Sequence, residues 1–275
     1  MILVQLTDLH VRPEGMAAYR VAETNMLTER AFRAVAGMKV KPDAVVISGD
    51  LTDNGLVDEY RVLADMLRCN LGHVPVYLIP GNHDRRDVMR AELGTWPGVN
   101  SDPDLIQYTV ETLPVRLVLL DTLVPGAGHG ELSPKSLIWL DTVLRARPST
   151  PTIVVMHHPP FICGISHMDS INLRNSTAFA EVIGRHPQVE RILCGHHHRP
   201  ITARVGGTIA SICPSVAHQV ELELRPGAPG LFVMEPAAFQ IHIWNAAAGI
   251  VSHMGYVEAY PGPYPFVTDP AYPGK

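Results

Sequence analysis

The chain has 275 residues, 46% of them hydrophobic and 18% charged, with a formal net charge of −5. This composition supports a large core, excludes disorder as the overall state, and gives no basic excess for binding duplex nucleic acid. Four cysteines without CxxC spacing (Cys69, Cys163, Cys194, Cys213), no basic leader before an apolar run, and no apolar stretch near ~20 residues point to a cytoplasmic protein that does not engage a membrane.

Ile2–Leu6 reads as a short buried strand, and Thr24–Met38 as a helix with Met26, Leu27, Phe32, Val35 and Met38 at helical spacing. Ala44–Ile47 is too short for a helix and stops at Gly49, so a buried strand is expected. Val57–Leu71 is helical, with Leu56, Tyr60, Leu63, Ala64 and Leu67 on one face. Val76–Ile79, Val115–Leu120 and Thr152–Met156 repeat the short strand. Ser133-Pro134 is a helix start ahead of Leu137–Leu144, with serine as cap and proline at the first helical position. Ala178–Ile183 follows as helix and Arg191–Cys194 as strand. Beyond Ile201 the pattern turns to short strands, with a hairpin over Ala238–Trp244 and Ile250–Tyr256. The expected architecture is α/β: a four-layer α/β/β/α sandwich with a β-rich C-terminal part. Residues 1–259 are expected to form one domain. Residues 260–275, rich in Pro, Tyr and Gly, form a tail and a candidate oligomer arm.

Fourteen histidines are present, clustered at His157-His158 and His196-His197-His198. The polar residues able to hold a metal fall just past predicted strands. Asp8 and His10 follow the first strand, and Asp50 the second. Asn82, His83 and Asp84 follow Val76–Ile79. His157 follows Thr152–Met156, and His196 and His198 follow Arg191–Cys194. Loops converge at that edge of an α/β sheet while strands hold them rigid. Two close cations need an anion between them, and Asp50 is the natural bridging carboxylate. A mixed O and N donor set without thiolate suits Zn, Mn, Fe or Co better than Ca. Gly49 and Gly81 let the backbone turn sharply and come near the ions. Taken singly, His73, His129, His186, His242 and His253 read as ordinary surface or core residues.

The run Asp8-Leu9-His10, Gly49-Asp50, Gly81-Asn82-His83-Asp84, His157 and Gly195-His196-His197-His198 resembles the signature of the calcineurin-like metallophosphoesterase superfamily. The resemblance covers roughly residues 1–220. Within the superfamily, the His157-His158-Pro159-Pro160 and Ala217-His218-Gln219 stretches are similar to the bacterial group of dinuclear glycerophosphodiesterases and class III cyclic-nucleotide phosphodiesterases. The resemblance implies two divalent or trivalent ions, Fe, Mn, Zn or Co. Asp8, His10, Asp50 and His198 would hold one, and Asp50, Asn82, His157 and His196 the other. It implies His83 as the catalytic residue facing the substrate phosphate, and His218 in the substrate pocket. His197 occupies the free position of Gly-His-x-His and is expected to point away from the ions.

The implied chemistry is in-line attack by a metal-bound hydroxide on a phosphodiester, with His83 as proton donor. Asp53, Asp84 and backbone carbonyls are candidates to anchor the imidazoles. Arg85, Arg86 and Arg199 follow motifs directly and either attract an anion or lie on the surface. The motif loops contain no lysine, which favours a singly charged diester. Small glycerophosphodiesters lead, with 3′,5′-cyclic nucleotides as the alternative. A non-catalytic scaffold is disfavoured because every ligand position is filled. A homo-oligomer, dimeric or dimer-based, is expected. The loop Phe161–Asn175 is expected to shape the pocket.

Overall fold

A computed structural model describes residues 1–266; most of the tail read above, from residue 267 on, lies outside the described residues. The elements follow in chain order: β1 (Ile2–Leu6), α1 (Thr24–Ala36), β2 (Ala44–Ser48), α2 (Val57–Leu71), β3 (Val76–Ile79), α3 (Arg86–Leu93), β4 (Tyr108–Val110) and β5 (Arg116–Leu119). Then come α4 (Pro134–Arg145), β6 (Thr152–Val155), α5 (Ser166–Asp169), α6 (Ser176–Gly184), β7 (Val189–Cys194), β8 (Ile201–Val205) and β9 (Thr208–Ile212). The last are β10 (Gln219–Val220), β11 (Phe232–Val233), β12 (Ala238–Asn245) and β13 (Gly249–Tyr256).

Two sheets carry the molecule. One has the order β13-β12-β1-β2-β3, the other β4-β5-β6-β7-β9-β8. The run β1-β2-β3 is parallel, as is β5-β6-β7-β9; β12 and β13 close the first sheet as an antiparallel hairpin. The parallel strands β2, β3, β5 and β6 are buried along their whole length, so stretches such as Ala44–Ile47 read as unbroken apolar runs.

Alternation along β5 separates the layers. Leu117 and Leu119 join the core shared with the first sheet and with α1 and α2, through Phe32, Val35, Leu63 and Leu67. Val118 and Leu120 face the other way and pack with Leu140 and Leu144 of α4 and with Phe179 and Ile183 of α6. Helices therefore cover both outer faces of a two-sheet sandwich, the four-layer arrangement expected from the sequence. Ser133 Oγ accepts the Ser136 N–H at 3.1 Å ahead of Pro134, the cap expected there. The first helix stops at Ala36, two residues early, because Gly37 disfavours continuation and becomes the cap. The short helix α3 was not expected: its eight residues are half charged, and only Val88, Met89 and Leu93 turn inward. Among the described residues no helix is long and apolar enough to cross a membrane.

Candidate metal centre

The C-terminal ends of β1, β2, β3, β6 and β7 meet at one edge of the sandwich, and all seven residues singled out as metal ligands collect there. The first sheet contributes Asp8, His10, Asp50 and Asn82; the second contributes His157, His196 and His198. Five of the seven (Asp8, His10, Asp50, His196, His198) hold the left-handed backbone conformation, with φ from 46° to 72°. Such backbone costs on the order of 1–3 kcal/mol per non-glycine residue and persists only where the surroundings impose it. Gly49 has φ of +99°, and a Cβ there would strike the His157 ring. A Cβ on Gly81 would strike Asp50 Oδ1 and His157 Nε2, so only glycine lets these two loops close together.

Ligating atoms of Asp8, His10, Asp50 and His198 lie within 4.8 Å of one another. His198 Nε2 is 3.1 Å from Asp8 Oδ1 and 3.2 Å from His10 Nε2. Asp50 Oδ2 lies 3.7 Å from His10 Nε2 and 3.4 Å from His157 Nε2, between the two groups. His157 Nε2 is 3.1 Å from Asn82 Oδ1. The outer nitrogen of each imidazole is anchored. His157 Nδ1 donates to Ser48 O at 2.8 Å, His198 Nδ1 to His218 O at 2.8 Å and His196 Nε2 to Ile171 O at 3.1 Å. His10 Nδ1 sits 3.2 Å from Asp53 Oδ1. Carbonyls only accept, so those protons are assigned to the outer nitrogens; in a neutral ring the inner nitrogen then presents a lone pair.

These donors fit a cation. With their protons on the outer side, His10 Nε2 and His198 Nε2 face each other at 3.2 Å as two lone pairs, a repulsive contact that a shared positive charge would make favourable. Asp8 and Asp50 are wholly buried carboxylates. Burial pushes the Asp50 carboxyl up, yet His157, His83 and His10 outweigh it and hold it well below the ordinary range. Burial likewise opposes protonation of His157, but Asp50 and Asp8 push it up to about 9. Anionic oxygen and imidazole nitrogen with anchored outer atoms form a metal-binding arrangement.

A calcineurin-like phosphoesterase model matches residues 1–200. The chain belongs to this family. Among its relatives, the probable glycerophosphodiester phosphodiesterase GpdQ of Arcobacter nitrofigilis is 35% identical over 98% of both chains. The glycerophosphodiester phosphodiesterase GpdQ of Enterobacter lignolyticus is 31% identical over 96% of this chain and 94% of its own. A cyclic adenosine monophosphate phosphodiesterase, CpdA of Vibrio vulnificus, is 28% identical over 79% and 77%. The fold is shared with a dimetal phosphatase from Danio rerio at a TM-score of 0.63, covering 94% of this chain and 99% of that one, at 17% identity.

In this phosphoesterase a pocket of about 250 Å³ opens over the ligand cluster. His83 stands at its side, 31% exposed, with its ring 4.7 Å from that of His10. His83 Nδ1 donates to Asp53 O at 2.7 Å. Burial works against a proton on His83, but Asp50 and both the carbonyl and carboxylate of Asp53 prevail and raise its pKa. His218 is buried beside His10 and His198, with Nδ1 unpaired, and burial together with His198 lowers it to about 2.

Of the two acidic residues thought to anchor imidazoles, Asp53 holds His10. Asp84 touches no imidazole and instead accepts five hydrogen bonds from the loops after β2 and β3 and from Tyr60. Arg85, Arg86 and Arg199 stay out of the pocket: they pair with Asp87, Asp121 and Glu235. His197 is buried with both ring nitrogens unpaired. The loop read as Phe161–Asn175 contains α5 and lines the pocket with His167, Met168 and Ile171. Sequence reasoning missed Tyr19 and Phe232, whose rings lie 5.2 Å apart and each close to His218. Tyr19 sits in the irregular segment before α1 and Phe232 in the two-residue strand β11, too short to show a period, so the sequence held no signal for them.

Proposed function

We propose that this phosphoesterase hydrolyses small phosphodiesters, glycerophosphodiesters foremost, at a two-ion centre. Asp8, His10, Asp50 and His198 hold one ion; Asp50, Asn82, His157 and His196 hold the other, with Fe, Mn, Zn or Co suited to the donors. The observation that carries the reading is the position of Asp50 Oδ2 between two sets of inward-facing imidazole nitrogens, 3.7 Å from His10 Nε2 and 3.4 Å from His157 Nε2. When bound, the ions supply Lewis acidity toward a phosphoryl oxygen and make water nucleophilic at neutral pH.

The chain's own residues do the rest. His83, with Nδ1 committed to Asp53 O, turns Nε2 to the substrate. Asp50 and Asp53 favour its protonated form, so it donates to a phosphoryl oxygen or to the leaving alkoxide. The protonated state need not extend to His218, which burial keeps neutral as a wall of the pocket. Among the described residues no lysine or arginine lines that pocket, so a monoester's second negative charge finds no fixed partner among them and a diester is favoured.

A second reading, cyclic nucleotides, is favoured by one feature. Tyr19, Phe232 and His218 form an aromatic wall against which the planar base of the nucleotide stacks, while the oxygen displaced from phosphorus is a ribose alkoxide. Metal analysis of the purified protein, with turnover on bis-p-nitrophenyl phosphate, glycerophosphodiesters, cyclic AMP and monoesters, tests the proposal. A preparation holding two ions and inert toward every diester would end it. We also take the protein to be dimer-based, on β13, which ends its sheet among the described residues, and on the exposed Tyr256 and Tyr260 packed against each other there; a monomer by light scattering would remove that part.

A further inference from the structure

The space between the two sheets is largely apolar, but a polar thread crosses it directly beneath the centre. Gln5 on β1 is fully buried. Its Nε2 donates to Ser48 Oγ at 2.8 Å, on neighbouring β2, and to Cys194 O at 2.9 Å, across the sandwich on β7. A carbonyl can only accept, so the amide is oriented with its nitrogen toward Cys194. Its Oε1 then receives the Nε2 proton of His242 at 3.3 Å, and His242 Nδ1 accepts the Ser252 hydroxyl at 2.8 Å. Ser48 Oγ passes its own proton to Leu6 O at 3.4 Å. Both amide protons and the amide oxygen are therefore satisfied, which a buried carboxamide requires.

The partners of this one side chain are placed unusually. Ser48 stands two residues before Asp50, Cys194 two before His196, and Gln5 itself three before Asp8. The carbonyl of Ser48 also receives His157 Nδ1. One amide thus ties together the roots of the strand ends that carry ligand residues from both sheets.

We propose that Gln5 is a positioning residue for the metal centre: it sets the spacing of the two sheets at their ligand-bearing ends, so that Asp8 and Asp50 meet the histidines of the second sheet at binding distance. This rests on the two-ion reading above. A purely space-filling role predicts something different, since methionine fills nearly the same volume without bonding to Cys194 O or Ser48 Oγ.

The test is Gln5→Met, followed by titration of the metal-free protein with Zn or Mn by calorimetry, alongside its thermal unfolding. The dissociation constant of at least one ion rises tenfold or more in a variant that remains folded at the titration temperature. Leu140→Ala, on the buried face of α4 and outside both the ligand cluster and the pocket lining, serves as control: it lowers the melting temperature and leaves both ion affinities as in the wild type. Ser48→Ala, which removes one of the two bonds and keeps the Ser48 carbonyl, weakens ion binding by a smaller factor of about threefold. Wild-type ion affinity in Gln5→Met, or in Ser48→Ala should Gln5→Met fail to fold, overturns the inference. A wild-type protein that takes up no second ion fails the two-ion reading instead, so the two failures are told apart.

Discussion

Replacing Asp84 with asparagine tests how far the site depends on one buried carboxylate. Oδ1 accepts from Thr52 N (3.2 Å), Thr52 Oγ1 (3.0 Å) and Tyr60 OH (2.9 Å), while Oδ2 accepts from Leu51 N (3.0 Å) and Gly81 N (2.8 Å). All five neighbours donate. An asparagine that keeps its oxygen on the crowded side turns an NH₂ group toward the amides of Leu51 and Gly81, which cannot reverse. Each buried donor left unpaired costs about 1–3 kcal/mol, so two cost about 2–6 kcal/mol, a large share of a native stability on the order of 5–15 kcal/mol. Leu51 follows Asp50 and Gly81 precedes Asn82, so the same change loosens both loops and weakens ion binding. Urea unfolding of the metal-free protein at pH 8 measures the loss; there the carboxyl, pushed up to about 6 by burial and by Asp50, is ionised. A stability change under about 0.5 kcal/mol would refute the reasoning, because it would mean that the five donors find partners without the carboxylate.

Three further outcomes are expected. His83→Ala lowers turnover by about 10²–10⁴-fold with both ions retained on metal analysis, and loss of an ion would move His83 into the ligand set. Asp50→Ala abolishes binding of both ions in the same analysis; full occupancy of two ions would remove its bridging role. His242 is buried and neutral, its pKa lowered to about 3 by burial and then by Arg191. An acid-depressed histidine contributes stability that is complete above its unfolded pKa, near 6.5, and is lost as pH falls toward 3, because only the unfolded chain takes the proton. Between pH 7 and pH 5 that loss is about 2 kcal/mol, so His242→Gln flattens the acid side of a stability-against-pH curve by about that amount. An unchanged slope would show that His242 is protonated in the fold.

Much of the site is legible because of where its residues stand. Each ligand candidate follows a short apolar run, and a buried parallel strand leaves little else that such a run could be. Asp50 after Ala44–Ser48 and His157 after Thr152–Val155 are therefore placed by strand ends alone. The pairing that brings β1 beside β12, and β7 beside β9 rather than β8, is not legible, since strands of equal hydrophobicity carry no mark of their neighbour. The same holds for Gln5: the buried strand Ile2–Leu6 is legible, but the partners of its one polar side chain lie on β2, β7 and β12, and nothing in the sequence names them. Lys39 and Lys41, by contrast, mark the exposed turn between α1 and β2 without any knowledge of the fold.

The division of ligand residues between the sheets has an energetic consequence. On the proposed two-ion reading neither sheet alone offers a complete set: Asp8, His10 and Asp50 lack His198, and His157 and His196 lack Asp50 and Asn82. An ion bound at this edge joins two layers otherwise held by apolar packing and a few polar crossings, and it binds only the folded chain, where the sets meet. Ion binding and sheet docking are thus one equilibrium seen from two sides, and an ion present at 100 times its dissociation constant adds about 2.7 kcal/mol to the stability of the sandwich. That contribution is comparable to the strain of one or two of the five left-handed residues at the site. The metal-free protein carries that strain uncompensated, so its weakest region under hydrogen exchange is expected at these five strand ends, although the strands themselves lie in the core.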